Sequence, residues 1–351
     1  MISARTGSIL NYIVGQYIAG ATPVPSQAVA NKAELNISPA TIRNEMAQLE
    51  QEGYIFRPHP SAGSIPSDKG YRYYVESLEN MALPSAEQRL VSHLFHQVEI
   101  KIDKWLSLAA TLAAQMVNNM VVVTKPKLTD CKFKHVEMVS LQDFMMLVIL
   151  VLHGAGVRQQ LITSTQPLSQ EELTAIASKL NDAYSGLSSD QISTKELGLS
   201  PFEKQVTDCL IKMMQAEDEE ENEVSYLDGL HFMLNQPEFT NSRQMLNLME
   251  MAEHRRLLKA IIPEELANHQ VQVIIGGENK AETLHKYSVV ICQYGLPEEA
   301  SGTICVVGPT RMPYAHTIPT VGYLSLVMTR LVARLYGRDI SDSFDLNENN
   351  N

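Results

Sequence analysis

The residues best suited to chemistry lie on one short stretch, 38–72. A helix over Ala40–Glu52 turns Ile42, Met46 and Leu49 to one side, at i, i+4 and i+7, and leaves Thr41, Arg43, Asn44 and Gln48 facing outward. These types match base edges in a major groove: Arg for guanine, Asn or Gln for adenine, Thr for the thymine methyl. Ser38 followed by Pro39 gives that helix a hydroxyl cap and a proline at its first position. The amides behind the cap could receive a phosphate. A Pro/Gly-rich loop then sets His59, Ser61 and Ser64 toward a nucleic-acid backbone or minor groove, and Lys69 and Arg72 follow as phosphate contacts. The same residue types are ordinary on an exposed helix, and such a module can also bind protein, so the pattern alone leaves both readings open.

The elements that must position these groups read as helix, helix, turn, helix, strand and loop between Ser3 and Gly70, the order of a winged helix. Ser3 caps a helix carrying Ile9, Ile13 and Tyr17, which Gly20 ends; Ser26 caps a second with Val29 and Ala33; Gly53 stops the third. Tyr54–Arg57 is a short strand, and after Gly70 another helix covers Tyr71–Leu78. Pro84-Ser85 opens a long helix to about Asn119, with Val91, Phe95, Val98, Ile102, Trp105, Ala109, Leu112 and Met116 in heptad steps. That spacing fits either a dimer seam or a helix packed on its own domain.

Strand patterns follow at His135–Leu141, Phe144–Leu152 and Val157–Thr163, the last two joined at Gly154-Ala155-Gly156. From Leu168 to Asn235 the chain reads helical and acidic, including the run Glu217–Glu221, as an inserted unit. A helix over Ser242–Ile262, strands at Val271–Ile275, Ser288–Gln293 and Thr303–Val307, and a helix over Thr320–Tyr336 complete the fold before a polar tail.

A 351-residue chain that is 44% hydrophobic can bury two or three cores. The net charge is −12, yet residues 1–76 carry six basic and six acidic side chains, so the acidity belongs to the remainder. A neutral N-terminus permits DNA binding without demonstrating it. The four cysteines form no C-x-x-C pair, which points away from a zinc ribbon and toward buried thiols in a reducing compartment. No signal peptide is expected, and the longest apolar run is strand-sized. His93 and His96 lack a third metal ligand, Gly276-Gly277 lacks a phosphate-loop context, and Gly308-Pro309-Thr310-Arg311 reads as a turn with Arg311 in a structural hydrogen bond. No cofactor is expected, and nothing positive in the residues points to an enzyme.

The stretch Ser38-Pro39-Ala40-Thr41-Ile42-Arg43-Asn44-Glu45-Met46, with Leu49-Glu50 and Gly53-Tyr54, closely resembles the HrcA family of heat-inducible transcription repressors. So do Ser61-Ala62-Gly63, Ile65 to Arg72, Ile275-Gly276, Glu278-Asn279 and Gly308 to Met312 with Tyr314. The resemblance implies an α+β chain: an N-terminal winged helix-turn-helix over 1–80, a GAF-like domain over 85–167 and 242–340, an inserted dimerisation domain over 168–241, and a disordered tail over 341–351. It implies a cytoplasmic homodimer on a double-stranded inverted-repeat (CIRCE-type) operator, kept active by a GroEL-type chaperonin, with no membrane partner. One departure stands out. The family usually carries Arg after the Ser-Ala-Gly of the wing, and here the residue is Ser64. That predicts a salt slope lower by about one phosphate contact per subunit, or else a wing that serves packing here. A ligand-sensing regulator remains an alternative, because strands in Val271–Val307 could wall a pocket.

Overall fold

The computed structural model describes residues 2–31, 38–59, 62–78, 81–128, 131–153, 156–219, 225–239, 269–296 and 300–338. The expected helix over Ser242–Ile262, most of the turn at 154–156 and the polar tail lie outside the described residues. The described chain mixes helix and strand in an α+β arrangement and divides into two compact units. One comprises 1–125, 224–294 and 302–328; the other comprises 126–223, 295–301 and 329–351.

The first unit begins with α1 (Ala4–Gly20), α2 (Ser26–Ala30) and α3 (Pro39–Gln51). Ser3 caps α1 by accepting the Thr6 amide at 3.1 Å, and Ala21 closes it in the left-handed region. Ser26 is the first residue of α2, not its cap; Pro25 holds that place. Next come β1 (Ile55–Phe56) and β2 (Ile65–Pro66), an antiparallel ribbon pairing Ile55 with Pro66 and Phe56 with Ile65. Then α4 (Asp68–Ser77) starts earlier than the sequence suggested. Ser67 accepts the Gly70 amide at 3.2 Å, so Gly70 lies inside the helix rather than before it. There it meets the Tyr54 carbonyl so closely that any side chain would collide.

The expected long heptad helix is two helices, α5 (Ser85–Gln97) and α6 (Ile102–Val117). Val98 and Lys101 are extended, and exposed Ile100 sits in the break. The continuous spacing conceals two separate stripes. Val91 and Phe95 bury from α5, whereas α6 buries a broad band including Trp105, Leu106, Ala109, Ala110 and Ala113. A band that wide is a core face rather than a coiled-coil seam.

Behind α6 lies the sheet of this unit. With β3 (Met120–Thr124), β8 (Ser225–Asp228), β9 (Gln272–Ile275), β10 (Tyr287–Leu296) and β11 (Ala300–Pro309), its order is β8-β3-β11-β10-β9. Every residue of β3 is buried. Met120, Val122, Val289, Ile291, Cys305 and Val307 form one core with Met233, Phe239 and Leu284. Ser225–Asp228, read as part of a helical insert, instead pairs with β3 as the edge strand and leads into α10 (Leu230–Leu234). The last helix, α11, runs Tyr314–Leu335. The expected start is Thr320, but Pro319, which lacks an amide donor, lies inside the helix. The helix absorbs Pro319 in its second turn, where Thr317 and Thr320 hydroxyls donate to the Pro313 and His316 carbonyls.

The second unit holds β4 (Lys127–Leu128), the meander β5 (Phe133–Gln142), β6 (Met145–Leu152) and β7 (Val157–Thr163), and α7 (Gln170–Tyr184), α8 (Ser189–Thr194) and α9 (Pro201–Glu219). β6 alternates strictly. Met146, Val148, Leu150 and Leu152 point into a core with Leu173, Leu180 and Tyr184 of α7 and Val206, Leu210 and Met214 of α9. The other face carries Met145, Leu147, Ile149 and Val151, with Val139 and Leu161 paired on either side of Leu147. Val139, Leu161 and Val157 are exposed.

All four cysteines are free and buried. Among the described residues no helix is long and apolar enough to cross a membrane. No cluster of three or more His, Cys, Asp or Glu forms a metal site among them either.

Candidate nucleic-acid interface

The outward face of α3 is the place to build from. Ser38 Oγ accepts the Thr41 amide at 3.2 Å and lies 2.9 Å from Thr41 Oγ1, with Pro39 next in line. Ile42, Met46 and Leu49 are buried, and Glu45 is buried with them. The opposite side exposes Arg43, Asn44 and Gln48. Thr41 is half-buried, and its hydroxyl is engaged with Ser38. Gln48 Nε2 donates to Glu52 at 2.8 Å. Among the described residues, no hydrogen bond or ion pair engages the side chain of Arg43 or Asn44.

Glu45 is the functional neighbour that sequence reasoning missed. Its carboxylate receives the Arg5 guanidinium (Nε at 3.0 Å, Nη2 at 2.5 Å) and the Thr6 hydroxyl at 2.6 Å. The Thr6 hydrogen bond lowers its pKa, burial opposes that, and Arg5 reinforces it, so the group stays ionised. A signal was present: Glu45 falls on the apolar stripe of α3, and a carboxylate there requires partners. Their identity, forty positions upstream, was not legible.

The ribbon and its loop separate the remaining candidates. His59 is exposed. Ser61 lies outside the described residues. Ser64 does not stand on an open wing: it is fully buried, its amide and carbonyl pair with Val24 at 2.9 Å, and its hydroxyl has no partner. Gly63 beside it lies so near the Pro23 and Val24 backbone that an added Cβ would come within 2.6 Å. This turn is therefore pressed into the module, which overturns the expectation that Ser64 faces DNA.

Lys69 is exposed, but its ammonium donates to the Glu52 carbonyl at 2.9 Å and sits 4.1 Å from the Tyr54 ring centroid, stapling α4 to the end of α3. Arg72 is committed elsewhere. Its guanidinium is bidentate on Glu278, with Nε to Oε1 at 2.9 Å, and Nη2 also donates to the Val273 carbonyl at 2.6 Å. Glu278 raises the Arg72 pKa. Burial works against the Glu278 carboxylate, and its hydrogen bonds from Arg72 and the Ile275 amide outweigh that, holding its pKa low. Arg72 is thus a structural cation here and not an available phosphate contact. Arg57, which the sequence did not single out, is partly exposed 3.3 Å from Glu50. The expectation for Arg311 holds: it is hydrogen-bonded to Glu238, Gln236 and the Ile18 carbonyl. The arrangement left on the surface is a capped helix presenting Arg43, Asn44 and Gln48, flanked by a two-stranded ribbon.

Known proteins are similar to this chain over nearly its full length. The family described as HrcA protein C terminal domain matches residues 103–318. A heat-inducible transcription repressor HrcA from Dehalococcoides mccartyi is 51% identical over 338 residues, covering 96% of this chain and 98% of that protein. The repressor of the same name from Roseiflexus castenholzii is 39% identical over 345 residues, covering 96% of each. A crystal structure of a hypothetical protein superposes with a TM-score of 0.57 at 25% identity, over 95% of this chain and 98% of that one, so the fold occurs in an experimental structure. On these matches the chain belongs to the HrcA family of heat-inducible transcription repressors, a family of regulators and not of enzymes.

Proposed function

We propose that this repressor is a cytoplasmic homodimer that binds a double-stranded, inverted-repeat operator of the CIRCE type, each subunit placing α3 of an N-terminal winged helix in a major groove. The observation that carries the reading is the exposed trio Arg43, Asn44 and Gln48 on a capped helix whose other side is locked to α1. The ribbon β1-β2 serves as the wing. Base contacts come from Arg43, Asn44 and Gln48, and backbone contacts from the amides after Ser38, from His59, from Ser61 and from Arg57. Thr41 contributes its methyl. The exposed Lys69 lies beside this surface, while Arg72 and Ser64 act from inside the protein.

The division proposed for the chain is 1–80 for the winged helix, a GAF-like domain built on the β8-β3-β11-β10-β9 sheet, and an inserted dimerising unit over 126–223 in which β5–β7 pack with α7 and α9; the expected span 168–241 leaves out that meander and takes in β8. The open sheet face around Leu147 supports dimerisation, because half-buried Leu147 lies between the exposed Val139 and Leu161, an apolar surface of the kind that a partner covers. A GroEL-type chaperonin holding the repressor in its active form is part of the same proposal and rests on family membership. A ligand-sensing role is less favoured, since β10 and β11 bury nearly every residue on both faces.

The test is fluorescence anisotropy on an inverted-repeat duplex against a scrambled duplex, over a salt series, with and without chaperonin. Selective binding of two subunits per duplex is expected. Equal, weak binding to both duplexes under all conditions would overturn the operator reading.

A further inference from the structure

Helix α4 is anchored on a distant turn by two charged side chains one helical turn apart. Arg72 lies bidentate on Glu278 and donates to the Val273 carbonyl. Asp68 Oδ2 accepts the Gly277 amide at 2.8 Å. The turn is shaped for this contact: Gly276 has φ +50°, and a side chain there would run into the Asp68 carboxylate. Glu278 is aimed by the Ile275 amide, which donates to Oε2 at 2.8 Å. Between the two polar contacts Tyr71 packs against Tyr314, both buried, with centroids 6.1 Å apart. A third contact holds the C-terminal end of α1, where Arg311 donates to the Ile18 carbonyl at 3.4 Å while bound to Glu238.

These contacts join the helix-and-ribbon module to the sheet of its own unit at three separated points. Charge-assisted, bidentate pairs are stronger and more directional than neutral hydrogen bonds. A module hinged on a flexible linker lets each half-site be found independently, so spacer length matters little. A clamped module transmits the geometry of the dimer to the DNA. Each added base pair then displaces a half-site by about 3.4 Å and rotates it by about 35°.

We propose that the Arg72–Glu278 pair, together with Asp68 on the Gly277 amide, is a positioning clamp that sets the separation and angle of the two reading helices and so makes half-site spacing part of operator specificity. The inference rests on the dimeric operator reading above. Arg72, Glu278 and Asp68 act through α3 and touch no DNA.

Glu278→Gln keeps an acceptor for the Ile275 amide and removes the charge under Arg72. Binding of the full-length dimer is measured on operators whose spacer is shortened or lengthened by one and two base pairs, alongside a single half-site duplex. The wild type should lose roughly tenfold per base pair of spacer change. Glu278→Gln should flatten that profile to about threefold or less while leaving single half-site affinity within about twofold, a pattern that mere loss of folded protein does not produce. Asp68→Ala, which removes the second anchor, should flatten it in the same way and serves if Glu278→Gln melts. A wild type that fails to distinguish operator from scrambled duplex overturns both readings. A wild type that distinguishes them while both variants keep its spacer profile overturns the clamp alone.

Discussion

The guanidinium of Arg5 in α1 holds the carboxylate of Glu45 in α3, with Nε 3.0 Å from Oε1, and Thr6 hydroxyl donates to the second oxygen at 2.6 Å. The acid sits directly between the exposed Asn44 and the buried Met46, so its ion pair fixes the rotation of α3 about its axis. Truncating it turns the exposed Arg5 guanidinium over to water and leaves the buried Thr6 hydroxyl with Ser3 Oγ, 2.7 Å away.

Glu45→Ala should therefore cost about 1–3 kcal/mol of folding stability. The carboxyl titrates below its ordinary value of 4.5 when folded, so its contribution is complete above that pH and is lost as pH falls through the lower folded value. Urea denaturation from pH 7 to pH 3 should show the gap between wild type and variant constant down to about pH 5 and narrowing below it. A gap that widens toward acid would contradict the assigned pairing.

Arg43→Ala should weaken binding to the operator about 10- to 100-fold, the range of one bidentate guanine contact, and should affect a scrambled duplex far less. Arg57→Gln should weaken both duplexes alike and lower the salt slope by about one. Anisotropy titrations at several salt concentrations separate the two. Equal losses on both duplexes with Arg43→Ala would make it a phosphate contact.

Ser64→Ala removes a buried hydroxyl that lacks a partner. Its folding stability should stay within about 0.5 kcal/mol of wild type or rise slightly. The salt slope of operator binding should not change. A lower slope in Ser64→Ala would place this residue back at the DNA.

Leu147→Glu puts a charge at the centre of the open sheet face of the second unit, between Val139 and Leu161. Sedimentation equilibrium should show dimer dissociation strengthened by about 30-fold or more, the effect of a central interface position. An unchanged dimer with an unchanged melting temperature would move the seam elsewhere.

The local features of α3 were legible because they are local: a Ser-Pro start, a stripe at i, i+4 and i+7, and Gly53 with φ +77° after its end. The β5–β7 meander was legible for the same reason, since alternation and turns are written residue by residue. What the sequence concealed depends on partners far along the chain. Arg72 has the composition of a phosphate contact, and only the position of Glu278, 206 residues later, removes it from that role. Ser64 looked like a wing-tip residue because nothing nearby announces its bridge to Val24. The heptad across α5 and α6 misled by continuity: two helices with separate buried stripes kept the same spacing through an extended break at 98–101.

The sheet order of the first unit bears on how the protein is made. Strand β3 is apolar and buried along its length, and its neighbour β11 is reached far downstream; Thr124 meets Thr303 across 179 positions. At roughly 5–20 residues per second, a ribosome takes on the order of ten to forty seconds to supply that neighbour. During that interval the apolar Met120–Thr124 strand can close only its β8 edge, and the edge that β11 covers in the folded protein stays open, so the core of this unit cannot be completed until nearly the whole chain has been made.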